Sequence, residues 1–200
     1  MKNIIFLFSM LTVLACKSKN DKEINSEEIS KDALELATPS SFNDFNKLTI
    51  SEENEEILLG SIDRKGLQRE QFKPWFDSIY SGYTMDTTLI GTIERLLDDV
   101  DIRIFMGTWC EDSQREIPAL FKVLDETNYY EENLYLTSVN REKITPQGIE
   151  KDYNVEYVPT IILLKDGIEL GRIVEYPRET LEKDMYAILS RENYKHAYED

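Results

Sequence analysis

The chain has 200 residues and 41% hydrophobic content, which suits one well-buried domain and is too short to favour two. Its formal net charge of −16 argues against a nucleic-acid partner, because phosphate backbones are bound through clustered Lys and Arg. The acidity is typical of a soluble surface with solvated tails, and a partner-selecting acidic patch is the alternative.

The first residues predict export. The apolar run from Ile4 to Leu14 is too short to span a bilayer and ends in Ala15 and Cys16, a pattern that indicates a signal peptide over residues 1–15. The ending Val13-Leu14-Ala15-Cys16 resembles a bacterial lipobox, which implies that Cys16 is acylated. We therefore expect a lipid on Cys16 to hold the protein in the membrane of the cell envelope, facing the periplasm or the cell surface. A plain signal peptide cut elsewhere is the alternative.

Composition divides the rest of the chain into a tether, a domain and a tail. Residues 16–50 are rich in charged and polar side chains, which predicts an acidic flexible tether with at most a short helix over Glu27 to Ala37. The domain is predicted over residues 51–192. Residues 193–200 are predicted to form a polar tail.

The first half of the domain carries one predicted strand and two predicted helices. The strand is Ile57-Leu58-Leu59, followed by a turn through Gly60 to Gly66. Aromatic residues at intervals of three and four from Phe72 to Tyr83 predict a helix whose stripe faces the core, with ligand stacking as the alternative. Asp86 and Thr87 are predicted to cap the next helix, which extends to Leu97.

From residue 100 onward, strands alternate with helices. The predicted elements are strand 102–106, helix 113–126, strand 134–139, a short helical stretch 146–153, strands 160–164 and 168–174, and helix 178–190. Strands separated by helices indicate parallel pairs, whereas the turn Lys165-Asp166-Gly167 predicts an antiparallel hairpin. The predicted class is therefore α/β, with a mixed central sheet flanked by helices.

The run Trp109-Cys110-Glu111-Asp112-Ser113 follows a predicted buried strand and opens a helix. With Pro118 eight residues beyond the cysteine, and with Val158-Pro159-Thr160 before a later strand, the chain resembles the thioredoxin-like family. The resemblance covers residues 100–190. It implies a thioredoxin-like fold in which Cys110 is the nucleophile, Trp109, Val158 and Pro159 line a substrate groove, and Pro159 follows a cis peptide bond.

Two departures from the family pattern limit the chemistry. Ser113 stands where dithiol members carry the resolving cysteine, and Ile104 stands where they carry a buried acid. A thiol at a helix N-terminus is favoured as a thiolate and nucleophile, so Cys110 is expected to attack disulfides. The chain offers no second cysteine at position 113 to release the resulting mixed disulfide. Ser113 is expected to assist Cys110 by a hydrogen bond or to cap the helix.

The chain has few of the cysteine and histidine side chains that other classes of catalysis require. The chain has two cysteines and one histidine, His196 in the predicted tail. If Cys16 carries lipid, one thiol remains, so no intrachain disulfide, metal site or histidine-assisted catalysis is expected. We predict no cofactor and no metal.

Two functions stay open at this stage. The first is a single-thiol oxidoreductase that reduces or isomerises disulfides of envelope proteins, with an external thiol as donor. The second is a redox-inactive module that binds peptides or proteins in the same groove. A thiol peroxidase is a third reading, although no residue pattern near Cys110 resembles a peroxidatic site.

Overall fold

A computed structural model describes residues 45–199 of the chain. The predicted signal peptide, Cys16 and the tether up to residue 44 lie outside the described residues. Seven strands are present in this range: β1 (Leu48–Ile50), β2 (Glu56–Leu58), β3 (Gly60–Ile62), β4 (Val100–Met106), β5 (Leu134–Ser138), β6 (Thr160–Lys165) and β7 (Ile168–Val174).

In the described part of the chain, three helices precede β4, one begins after the predicted reactive cysteine, and one follows β7. They are α1 (Arg64–Leu67), α2 (Lys73–Gly82), α3 (Ile90–Leu96), α4 (Glu111–Glu126) and α5 (Leu181–Leu189), with short 3₁₀ turns at Glu131–Asn133 and Ile149–Tyr153. None of these helices, within residues 45–199, is long and apolar enough to cross a membrane.

The central sheet has five strands in the order β3-β5-β4-β6-β7. The β4–β5 pair is parallel, whereas β3–β5, β4–β6 and β6–β7 are antiparallel. Asp166 and Gly167 both have positive φ at the β6–β7 turn, the backbone that a tight Asp-Gly hairpin requires. The predicted α/β class with a mixed sheet is confirmed.

The two faces of the sheet are covered differently. The main core packs side chains from helices α2 to α5 against one face, including Ile104 of β4 and Phe76 of α2. The other face carries a smaller cluster covered by the loop after β5, formed by Phe105, Val139, Val158, Ile162 and Leu164. Trp109 and Cys110 pack against this smaller cluster.

Three residues of the predicted tether form a strand. Leu48–Ile50 form β1, which pairs antiparallel with β2 in a hairpin outside the main sheet. The sequence assigned these residues to the tether because their neighbours are polar. Cross-strand pairing with β2 stabilises this strand, which the local composition does not predict.

The residues predicted as a polar tail also contact the domain. The Tyr194 hydroxyl donates to Asp184 Oδ2 at 2.7 Å, and the rings of Tyr198 and Tyr157 stack with centroids 4.3 Å apart. Polar and charged residues dominate the composition of this segment, which is why the sequence predicts a polar tail. Its aromatic rings nevertheless supply apolar contact surface.

Two helix starts also differ from prediction. Helix α3 begins after Leu89 with no side-chain cap, while Asp86 accepts hydrogen bonds from Thr88 N and Oγ1 in the turn before it. Helix α5 begins three residues later than predicted, capped by Thr180, whose hydroxyl accepts from Lys183 N.

Candidate functional site

The cysteine lies where β4 passes into α4. Cys110 is the N-cap residue of α4, and its side chain makes no capping hydrogen bond to the helix. The Cys110 side chain therefore leaves the first-turn N–H groups uncapped, and those groups favour negative charge while Glu111 and Asp112 in the same turn oppose it. Among residues 45–199, Cys110 is the free cysteine, and it is partly exposed.

The thiol faces the segment that precedes β6. Cys110 Sγ donates to Val158 O at 3.2 Å, and the Val158–Pro159 bond is cis, as the resemblance implies. Pro159 O accepts from Glu175 N at 2.7 Å, which ties the segment to the end of β7. The sulfur therefore lies between the start of α4 and the residues before β6, and the latter are held in turn by the end of β7.

Trp109 forms one wall beside the cysteine. Its Nε1 donates to Val139 O at 2.9 Å, and the indole lies against Gly107, where an added Cβ would be 2.5 Å from Trp109 Cε2. A side chain at position 107 would therefore displace the ring. The structure brings together all of the predicted groove residues, Trp109, Val158 and Pro159, around Cys110.

Ser113 has a different setting from either predicted role. Its side chain is fully buried, and Oγ accepts the Gly107 N–H at 3.2 Å. It cannot be the cap, because Cys110 occupies that position and Ser113 lies in the first turn. Its hydroxyl braces the bend between β4 and α4 and makes no hydrogen bond to Cys110 within residues 45–199.

Two further polar contacts hold the Cys110 loop. Thr108 Oγ1 accepts from Leu58 N at 3.2 Å, and Gln114 Nε2 donates to Thr108 O at 2.8 Å. Ser138 Oγ also donates to Leu58 O at 2.7 Å. The loop is thereby fixed to β2, a contact between residues 50 positions apart that sequence spacing does not reveal.

An acid on α4 is also buried. Glu116 is 7% exposed, and burial raises the pKa of its carboxyl, although the neighbouring Arg115 guanidinium, 2.7 Å away, acts in the opposite direction. Ile104, the position of the acid in the family, is 1% exposed and lies in the main core. Glu116 pairs with Arg115 and interacts with Tyr83.

Arg141 of the β5–β6 loop contacts Trp109 and connects it to the first hairpin. The Arg141 guanidinium lies over the indole, with Cζ 4.9 Å from the ring centroid. Arg141 also pairs with Glu55 at 2.7 Å and Glu53 at 3.1 Å, both in the β1–β2 turn. Sequence reasoning missed these three residues because nothing in their local pattern relates them to position 109.

No group of three or more His, Cys, Asp or Glu side chains that could hold a metal ion occurs in residues 45–199. The chemistry available at this site is that of one partly exposed thiol beside the backbone of Val158 and Pro159.

No protein-family profile and no curated protein matches the chain. Among solved structures, a Pseudomonas aeruginosa protein of unknown function matches with 19% identity and a TM-score of 0.38, over 59% of this chain and 69% of its own. Mitochondrial thioredoxin 3 from Saccharomyces cerevisiae matches with 26% identity and a TM-score of 0.29, over 48% of this chain and 87% of its own. A thioredoxin variant from Halobacterium salinarum has 18% identity and a TM-score of 0.32, over 56% and 90%.

Proposed function

We propose that the protein is a thioredoxin-like thiol-disulfide oxidoreductase that acts through the single thiol of Cys110. The observation that carries the proposal is the position of Cys110 Sγ, at the N-cap of α4 and 3.2 Å from Val158 O. This arrangement combines a helix-terminal thiol with a backbone segment against which an extended peptide can align.

The reaction proceeds by thiol-disulfide exchange. The Cys110 thiolate attacks one sulfur of a substrate disulfide, the S–S bond breaks, and the second substrate sulfur leaves as a thiolate. The resulting mixed disulfide is released when another thiolate attacks the substrate sulfur and Cys110 departs as thiolate. If that thiolate is a third cysteine of the substrate, the disulfide is isomerised. If two external thiols act in turn, the substrate is reduced and they are oxidised to a disulfide.

We propose further that the protein is exported and held in the cell envelope by lipid on Cys16. Its substrates are then envelope proteins with disulfides or thiols, and its donor is an external thiol. The sequence of residues 1–16 supports this placement.

The test compares adducts formed by the native protein and by Cys110→Ala in envelope extracts, after trapping thiols with an alkylating reagent. We expect mixed-disulfide bands on non-reducing electrophoresis that disappear with Cys110→Ala and with added reductant. Identical band patterns for the two proteins would refute the oxidoreductase and leave the redox-inactive binding module as the function.

A further inference from the structure

The β1–β2 turn contributes to the surroundings of the thiol, although it belongs to a separate hairpin. Glu53 and Glu55 of this turn hold the Arg141 guanidinium, which lies over the Trp109 indole. The indole is thus bounded by Gly107 on one side and by Arg141 on another, while Nε1 is held by Val139 O. Each contact restricts the residue next to Cys110.

The turn itself is well braced. Ser51 Oγ accepts from Glu53 N at 3.2 Å and from Glu55 N at 3.3 Å, and Ser51 N donates to Glu55 O at 2.8 Å. The two carboxylates are therefore presented on a closed turn rather than on a loose loop. A planar guanidinium can pair with a carboxylate at its edge while its face rests on an aromatic ring, which the lysine ammonium cannot do.

We propose that Arg141, held by Glu53 and Glu55, is a positioning residue that fixes the Trp109 indole beside Cys110 and so shapes the groove for peptide disulfides. The effect on peptide reactions rests on the proposed function. The effect on the indole does not.

The chain offers a matched control. Arg64 lies over the Phe121 ring, with Cζ 4.3 Å from the centroid, and pairs with Asp125 at 2.6 Å and Glu131 at 3.2 Å. Arg64→Ala therefore removes the same combination of contacts at a place where neither Trp109 nor Cys110 is involved.

The experiment uses Trp75→Phe as the background, so that Trp109 is the remaining tryptophan of the two in the chain. Fluorescence quenching by acrylamide reports the exposure of the indole. We expect Arg141→Ala to increase the quenching constant up to about twofold, because the ring face that the guanidinium covers becomes accessible to acrylamide once the cation–π contact is removed. Arg141→Lys should behave like Arg141→Ala, Glu53→Gln combined with Glu55→Gln should give a smaller increase, and Arg64→Ala should give none.

Reactivity is measured on the same proteins with two reagents. Iodoacetamide reports the thiol alone, and a peptide carrying a thionitrobenzoate mixed disulfide reports the groove. We expect Arg141→Ala to slow the peptide reaction about threefold or more while the iodoacetamide rate changes less than twofold, because the nucleophile is retained and its alignment is lost.

Unchanged quenching in Arg141→Ala, or an equal change in Arg64→Ala, would overturn the positioning role. Equal slowing with both reagents would overturn the shaping of the groove, since the defect would then lie in the thiol. A parent protein that reacts with iodoacetamide but with no peptide disulfide would instead refute the proposed function, and the quenching result would still decide the position of the indole.

Discussion

Ser113 determines which steps of thiol-disulfide exchange Cys110 could complete without another thiol. Its hydroxyl is buried and accepts the Gly107 N–H, so it stabilises the loop and supplies no sulfur. In the proposed reaction, a mixed disulfide on Cys110 is therefore released by a thiol from another molecule or from the substrate itself.

Replacing this hydroxyl with a thiol should restore internal release. Residues three apart at a helix start are neighbours, within the separation that a disulfide spans, so we expect Ser113→Cys to form a disulfide with Cys110 under oxidising conditions. Adducts on Cys110 should then shorten in lifetime by about tenfold or more, since an intramolecular thiol replaces an external one. Thiol counting by a maleimide mass tag, with Ser190→Cys as the control, measures the disulfide. Two free thiols after oxidation would contradict the expectation.

Helix α4 carries both the thiol and a buried acid. It continues from Glu111 to Glu126 through Pro118, whose missing N–H removes one interior hydrogen bond. The amphipathic pattern predicted most of this helix correctly. Glu116 was not singled out, because a glutamate near the start of a helix is ordinarily solvated, and its interaction with Tyr83 joins positions that are distant in sequence.

The protonation of Glu116 makes stability depend on pH. Because burial raises its pKa in the folded protein, the folded state binds the proton more tightly than the unfolded state. The free energy of unfolding therefore falls as pH rises from the ordinary glutamate value through the raised one. We expect Glu116→Gln to be more stable than the native protein at neutral pH, with the difference lost in acid, as measured by urea unfolding. The exposed Glu132→Gln should show no such difference, and a less stable Glu116→Gln at neutral pH would mean that the Arg115 ion pair outweighs burial.

The elements that the sequence predicted well are those with long patterns. Strands β4 to β7 and helices α2 and α4 lie within a few residues of the predicted ranges, because each contains enough residues to show an alternating or helical period. Strands β1 and β3 have three residues each, too few to show a period. They form because β2 and β5 offer partners, and β3 pairs with residues more than 70 positions away.

The candidate site also contains residues that could be predicted from the sequence and residues that could not. Cys110, Trp109, Val158 and Pro159 could be placed together from the resemblance, which supplies long-range relations. Arg141 could not, since its contacts with the first hairpin arise only when the chain is folded.

Residues near the C-terminus hydrogen-bond to a buried carboxylate of the domain. Asp184 is 3% exposed and accepts hydrogen bonds from Arg178 N, Glu179 N and the Tyr194 hydroxyl. A buried carboxylate that loses a donor is costly, so residues near the C-terminus contribute to the stability of α5 and the loop before it.

Removing residues 193–200 should lower the free energy of unfolding by about 1–3 kcal/mol, since the buried carboxylate loses the Tyr194 donor. Tyr194→Phe, which keeps the ring, should account for about 1 kcal/mol of this. The midpoints of urea unfolding measure both. Tyr130→Phe, at a ring that is 72% exposed, is the control and should be neutral. A truncated protein as stable as the native one would show that the tail contacts contribute nothing.

Strand β7 leaves one border of the sheet without a neighbouring strand within residues 45–199, and that border is seven residues long. A flat border of this length invites intermolecular strand pairing and aggregation. The pairing of β6 and β7 shifts register between Leu163 and Leu164, which bends the border, and Glu169 and Arg172 place an ion pair on it. Both features disfavour the addition of a strand from another molecule to this border.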